Sequence, residues 1–421
     1  MSQIKRSGNK MASSNESKIR PRCFPKRGLI GREEKAAVMA LFDKAIDSGD
    51  AFGYNGVEEE AYCREFARFM GGGYADAVNS GTTALYVALR TLDLEPFTEI
   101  IVGPITDPGG MMPIPLLNCI PVVPDTAPGC YNTGPEQIAK MITPLTSAIV
   151  VAHIAGEPAD MAGIMALAKK RRIPVVEDCA QAHGATIDGR MVGTFGEVAA
   201  FSTMFGKHHC TGGQGGVVFT RCEDLYWAAR RASDRGKPFG LPPGSTNSIA
   251  SLNYNLNDLS ATIGRIQLKK LPGIIRRRRQ VVAGLARGIR GLKSVSIPVP
   301  IPGAKPSYWF LRMQFHPEAV TCDKNTLCKA LSAEGLPVNS SYRHMPHTSE
   351  WFVKRRVFGA SGYPWTSPSY KGNPDRQFPC PNAIEATEYQ FNLQIHESWN
   401  ARDVADAAAT FKKVEKVFLK A

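Results

Sequence analysis

Three short stretches of the chain gather residue types that can do chemistry. In Asn79-Ser80-Gly81-Thr82-Thr83-Ala84-Leu85, a small polar turn runs straight into the apolar-periodic Leu85 to Leu92. A helix starting there offers free N–H groups and two hydroxyls to a phosphate, although Ser and Thr are also ordinary N-cap residues. In Val175-Val176-Glu177-Asp178-Cys179-Ala180-Gln181-Ala182-His183-Gly184, acids end a very apolar strand. Open α/β sheets bind their ligands at such strand ends. The third stretch, Phe201 to Gly216, holds the single lysine Lys207 in a long run free of other charge, followed by a Gly-rich turn. A desolvated lysine has a lowered pKa suited to Schiff-base formation. His208-His209-Cys210 follow it, but consecutive residues seldom converge on one ion and no second ligand cluster is evident, so no metal is expected.

Positioning these residues requires a scaffold. Helical spacing begins after Gly31 with Val38, Leu41, Phe42, Ala45 and Ile46, and returns at Cys63, Phe66, Phe69 and Met70. From residue 75, apolar runs (Glu99 to Val102, Pro121 to Val123, Ala148 to Ile154, Pro174 to Val176, Ala199 to Ser202, Val217 to Thr220) alternate with helical ones, which predicts an α/β sheet with helices on both faces. A basic helix from Leu268 to about Leu292 contains Arg276 to Arg279. Four consecutive arginines point around a whole cylinder, so a solvated helix or subunit-contact surface is expected there rather than a nucleic-acid face. Prolines 298, 300, 302 and 306 then mark the entry to a smaller domain, which closes on an amphipathic helix carrying Val404, Ala408, Phe411, Val414 and Phe418. The expected division is a flexible basic arm over 1–28, a large domain over 29–285 and a small domain over 286–421.

Composition narrows the function classes. The 421 residues carry a net charge of +13, of which residues 1 to 30 supply +7, so the basic excess belongs mostly to the arm. Ten cysteines are scattered without a CxxC pair, which reads as a reducing, cytoplasmic setting. No run approaches the roughly 18 apolar residues of a membrane helix.

The three stretches, in this order, resemble the DegT/StrS family of sugar aminotransferases, members of fold type I of the pyridoxal 5'-phosphate (PLP) enzymes. The resemblance extends to His153-Ile154-Ala155-Gly156-Glu157-Pro158-Ala159-Asp160-Met161, similar to the family's H-x-x-G-x-P-x-D-M. It includes Asn253-Tyr254-Asn255-Leu256-Asn257-Asp258-Leu259 and Tyr342-Arg343-His344-Met345-Pro346-His347. It implies a mostly parallel seven-stranded sheet between helices plus a smaller α+β C-terminal domain. It also implies PLP as cofactor, with Lys207 as the Schiff-base lysine and proton shuttle, and Asp178 as the carboxylate on the pyridine nitrogen. Gln181 would bond the phenolic oxygen, and Gly81, Thr82 and Ser202 the phosphate, joined by Asn253 from the partner subunit of a homodimer.

Departures from the family pattern are informative. Asp107 aligns with an aromatic residue that stacks on the cofactor, Met111 or Met112 being the available apolar cover, and Asn255 stands where the family has arginine. A related branch has histidine in place of the lysine and dehydrates sugars. Here the fifth residue after Ser202 is Lys207, with His208 next. The expected activity is therefore amino transfer from glutamate or glutamine to a keto sugar, nucleotide-linked keto sugar or cyclitol precursor. Asp107, His183, Arg343, His344 and His347 are the candidate substrate contacts. A dehydratase of the same family and a regulatory member using the basic arm are the alternatives; neither a nucleic acid nor a membrane is an expected partner.

Overall fold

The computed structural model describes residues 18–20, 22–342 and 344–420. Its centre is a seven-stranded sheet built from the apolar runs: β1 (Tyr74–Val78), β2 (Glu99–Val102), β3 (Ile120–Val122), β4 (Thr146–Ala152), β5 (Val175–Asp178), β6 (Val198–Ser202) and β7 (Gly216–Thr220). The order is β1-β7-β6-β5-β4-β2-β3, and only β7 runs against the rest. Strands such as β2 and β6 are buried along their whole length. They read as continuous apolar runs because helices cover both faces of the sheet. The α/β class with a mostly parallel seven-stranded sheet is the expected one.

Helices α1 (Arg32–Ser48), α2 (Val57–Phe69) and α3 (Gly81–Thr91) precede or interrupt the strands. Helix α3 buries Ala84, Leu85, Val87, Ala88 and Leu89 against the sheet, which fixes its N-terminus at the end of β1. Helix α4 (Asp258–Gly288) is longer than the basic stretch predicted: it starts ten residues earlier, where the Asn257 side chain accepts from the N–H of Ser260. It runs continuously through the expected boundary after residue 285. Its last turns join a second core, where Val281, Val282 and Leu285 meet Leu311, Met313, Phe391 and Phe411.

That second core lies on an antiparallel sheet of β8 (Val295–Ser296), β9 (Leu311–Phe315), β10 (Val338–Asn339) and β11 (Gln390–Leu393), ordered β8-β9-β11-β10. Helix α5 (Ala401–Phe418) covers it, opened by a capping box between Asn400 and Asp403, with Ala408, Phe411 and Val414 buried as their spacing requires. Tyr342, Cys380, Ala383 and Ala386 pack instead into the core of the large sheet.

Two expectations are corrected. Arg276 and Arg277 are exposed, but Arg278 is 2% exposed and wedged between domains, so this helix face is not simply solvated. The Arg278 Nε donates to Glu397 at 2.8 Å and its Nη1 to the carbonyls of Tyr308 and Trp309. Burial of this guanidinium is tolerated because Nε has a carboxylate and Nη1 two carbonyls as partners. The second correction concerns the arm. Residues 1–17 lie outside the described residues, but the segment reaching Gly28 is docked: Phe24 stacks on Trp399 at 4.6 Å, Arg20 pairs with Asp403 and Asp406, and Arg27 pairs with Glu397.

Candidate active site

A cavity of about 260 Å³ opens where β1, β2, β5 and β6 end, lined by Ser80, Gly81, Thr82, Asp107, Gly109, Gly110, Asp178, Ala180, Ser202, Met204, Lys207 and Gln214. The three stretches singled out above converge here although Gly81 and Lys207 are more than 120 residues apart in the chain. Parallel strands deliver their following turns to one edge of the sheet, and those turns carry the polar groups.

The β1–α3 turn is shaped by close approach. A Cβ on Gly81 would lie 2.5 Å from the Ser202 Cβ, and one on Gly216 would lie 2.3 Å from the carbonyl oxygen of Ser80. Ser80 caps α3, its Oγ accepting from the N–H of Thr83 at 3.1 Å. The N–H groups of the first turn therefore face the cavity with the positive end of the helix dipole.

Asp178 ends β5 and Lys207 stands in the turn after β6. Burial pushes the lysine down to about 8, opposed by the carboxylates of Asp178 and Asp107. Burial raises the Asp178 carboxyl, while the Ala180 N–H, the Lys207 ammonium and His153 pull it back. Lys207 Nζ lies 3.9 Å from the centroid of the Trp309 ring, whose Nε1 donates to the carbonyl of Gly206 at 2.9 Å. An ammonium over an indole face is attracted by the ring quadrupole, so Trp309 holds both the turn and its side chain. Sequence reading missed Trp309 and Met204. The lone Trp in Pro306-Ser307-Tyr308-Trp309-Phe310 was the only available signal for the first.

The neighbouring histidines are turned away from the cavity. His208 is fully buried, with its Nε2 at 3.1 Å from the carbonyl of Ser307, and His209 Nε2 lies 2.9 Å from the Tyr62 hydroxyl. The one-residue ambiguity in the sequence is thereby resolved by direction: Lys207 faces in and His208 faces out.

The other candidates divide. Asp107 lines the cavity and also caps the short turn after it, accepting from the N–H of Gly109 at 2.9 Å. Gln181 is nearly buried; its Oε1 accepts from the N–H of Ala155 and its Nε2 donates to the Tyr342 hydroxyl at 2.9 Å. Three expectations are corrected. His183 is completely buried among Phe201, His208 and His209 and cannot touch a substrate. His347 lines a different cavity, of about 350 Å³, with Phe352, Trp365 and Tyr370. Met111 packs in the sheet core, so Met204 is the methionine at the cavity. His344 is exposed, its carbonyl accepting from the N–H of Thr106; Arg343 lies outside the described residues. Asn253 is also outside the cavity wall, its Oδ1 accepting from the Asn255 amide at 2.8 Å.

Among the described residues His153, Glu177 and Cys179 lie close enough to hold a metal ion. Their bonds are already committed: His153 Nδ1 accepts from the Ala159 N–H and Nε2 pairs with Glu177, which also takes the N–H groups of Gly193, Phe195 and Gly196. Glu177, held by His153, pins the 193–196 turn.

A model of the DegT/DnrJ/EryC1/StrS aminotransferase family matches residues 32–410. A dTDP-3-amino-3,4,6-trideoxy-alpha-D-glucose transaminase of Streptomyces venezuelae is 31% identical over 317 residues, 75% of this chain and 80% of that protein. A dTDP-4-dehydro-2,6-dideoxy-D-glucose 3-dehydratase of Saccharopolyspora spinosa is 32% identical over 303 residues, 65% of this chain and 64% of that one. Among solved structures, the aminotransferase from Psychrobacter cryohalolentis superposes with a TM-score of 0.80 at 26% identity, over 94% of this chain and 99% of its own.

Proposed function

Because the chain belongs to the DegT/DnrJ/EryC1/StrS aminotransferase family, we propose that it binds PLP through Lys207 and transfers an amino group from glutamate or glutamine to a keto sugar, nucleotide-linked keto sugar or cyclitol precursor. The residues of the cavity fit that cofactor. The close Gly81–Ser202 approach leaves room only for backbone at the α3 N-terminus, an anion seat where Gly81 and Thr82 would donate N–H groups and Ser202 its hydroxyl to the phosphate. Asp178 would hold the proton on the pyridine nitrogen, and Gln181, which stands behind the cavity wall with one amide hydrogen on the Tyr342 hydroxyl, would serve the phenolic oxygen with the other. When bound, PLP supplies an aldehyde carbon that takes up an amine and an aromatic ring that withdraws electrons from the neighbouring carbon.

The chain's own part is proton handling and exclusion of water. With its pKa pushed down to about 8, Lys207 has an appreciable neutral fraction near pH 7, so Nζ can take a proton from the substrate carbon and return it. Desolvation, the cause of that shift, also keeps bulk water from competing for the proton. The single observation that carries the reading is the inward Lys207 Nζ facing Asp178 in a cavity floored by the α3 N-terminus.

A homodimer with shared sites belongs to the proposal. Phe205 and Leu252, beside Lys207 and Asn253, are 68% and 65% exposed, and on α1 Ile46 is 75% exposed with Met39 and Phe42 beside it. Apolar surface of this extent asks for a partner. One relative's name is a dehydratase, and the inward lysine favours transfer over that chemistry. No helix among the described residues is long and apolar enough to cross a membrane; the scattered free cysteines favour a cytoplasmic setting.

The test is borohydride reduction of the PLP-loaded protein followed by peptide mapping. The pyridoxyl group is expected on Lys207, and glutamate or glutamine should bleach the visible band of the unreduced protein. A label on another lysine defeats the site assignment, and a band indifferent to every amine donor defeats amino transfer.

A further inference from the structure

Resting on Lys207 as the reactive amine, we propose that Arg27 is a positioning residue for it, delivered by the N-terminal segment acting as a strap from the small domain to the lysine turn. Arg27 Nη1 donates to the carbonyls of Gly206 at 3.3 Å and Lys207 at 2.5 Å, and Nη2 to that of His208 at 2.9 Å. One guanidinium thus grips three consecutive carbonyls, which its planar fork suits and an ammonium does not. The turn needs an outside grip. Gly206, Gly212, Gly213 and Gly215 leave its backbone permissive, and a loosened turn would let the amine swing out of the cavity.

The grip is closed into a ring. Arg27 Nε donates to Glu397 at 2.8 Å, Glu397 also accepts from Arg278 Nε at 2.8 Å, and Arg278 holds the carbonyl of Trp309. Trp309 returns to the turn through its Nε1 on Gly206 and through its ring face on Lys207 Nζ. Backbone and side chain of the lysine are therefore held from one connected set of contacts. The strap is seated independently of that ring: Ser398 Oγ donates to the carbonyl of Arg27, His396 Nε2 lies 2.8 Å from that of Pro25, and Phe24 stacks on Trp399.

The experiment measures the pH midpoint for acetylation of Lys207, by peptide mass spectrometry, in the full-length chain freed of cofactor, together with kcat and KM of the loaded enzyme. The groups facing Lys207 are Asp178, Asp107 and the neutral His183, and none is altered. For Arg27→Ala the midpoint should rise by about one unit or more as the amine becomes hydrated. Its kcat should fall roughly 10- to 100-fold with the donor KM within about threefold, the signature of lost positioning rather than lost binding. Arg27→Lys, which restores charge without the fork, should recover only part of both. A midpoint of Arg27→Ala within about 0.3 pH unit and a kcat within about twofold of the unaltered protein overturn the proposal. Should Arg27→Ala fail to fold, unaltered values in Arg27→Lys overturn it instead. Because labelling reads Lys207 directly, a shifted midpoint in a protein whose cofactor sits on another lysine supports the strap while refuting the functional reading.

Discussion

At the scale of single residues, the reactivity of the site follows from a contest between burial and two carboxylates. Burial takes the Lys207 pKa down, and Asp178 and Asp107 pull it back up. Asp107 is the exposed member of the pair, so its share is screened by water. Replacing it by Asn removes a negative charge beside the ammonium, which disfavours protonation. In Asp107→Asn the acetylation midpoint of Lys207 should therefore fall, by roughly half a pH unit, and the neutral amine should be available at more acid pH. An unchanged midpoint would show that Asp107 acts by capping its turn, which Asn preserves, and not by charge. Residue types alone signalled Lys207 and Asp178, because a lone lysine in an apolar run and an acid ending an apolar strand are costly placements. They misled for His183, whose polarity suggested a group facing the site and whose ring is packed among Phe201, His208 and His209.

Among elements, helix α4 joins the two cores and Arg278 is its fixed point. The guanidinium sits between Glu397 and two carbonyls with almost no exposure. Truncating it leaves two buried carbonyls without their donor and Glu397 with Arg27 as its remaining cation, so Arg278→Ala should lose about 3 kcal/mol of unfolding free energy in urea titration. Glu397→Gln should cost less in that background than in the unaltered chain, since the Arg278 half of what the carboxylate holds is already gone and only its pairing with Arg27 is left to weaken. A double variant weaker by the full sum of the two singles would refute the coupling. Strands and the terminal helix were legible because periodicity reports burial. The start of α4 was not, since the Asn253–Asp258 segment carries no apolar period and is set by a cap, Asn257 on Ser260, that only the fold defines.

For the whole molecule, the proposed homodimer with shared sites is what subunit exchange tests. Lys207→Ala and Asn253→Ala homodimers should each be inactive, yet a mixture allowed to exchange subunits should regain about one quarter of normal activity. Half of the dimers then carry one intact site assembled from both chains. No recovery would mean that Asn253 serves its own subunit. The sequence by itself determined the sheet, because continuous apolar runs can be satisfied only between helices, and it singled out as candidates the lysine, the aspartate and the glycine-cornered turn that the fold brings to one cavity. Only the tertiary structure decided which way Lys207 and His208 face, that Trp309 lies under the amine, and that a basic N-terminal segment expected to be free grips the lysine turn. Those outcomes depend on contacts between residues tens to hundreds apart, and a pattern confined to neighbours along the chain does not encode the direction in which a buried side chain finds its partner.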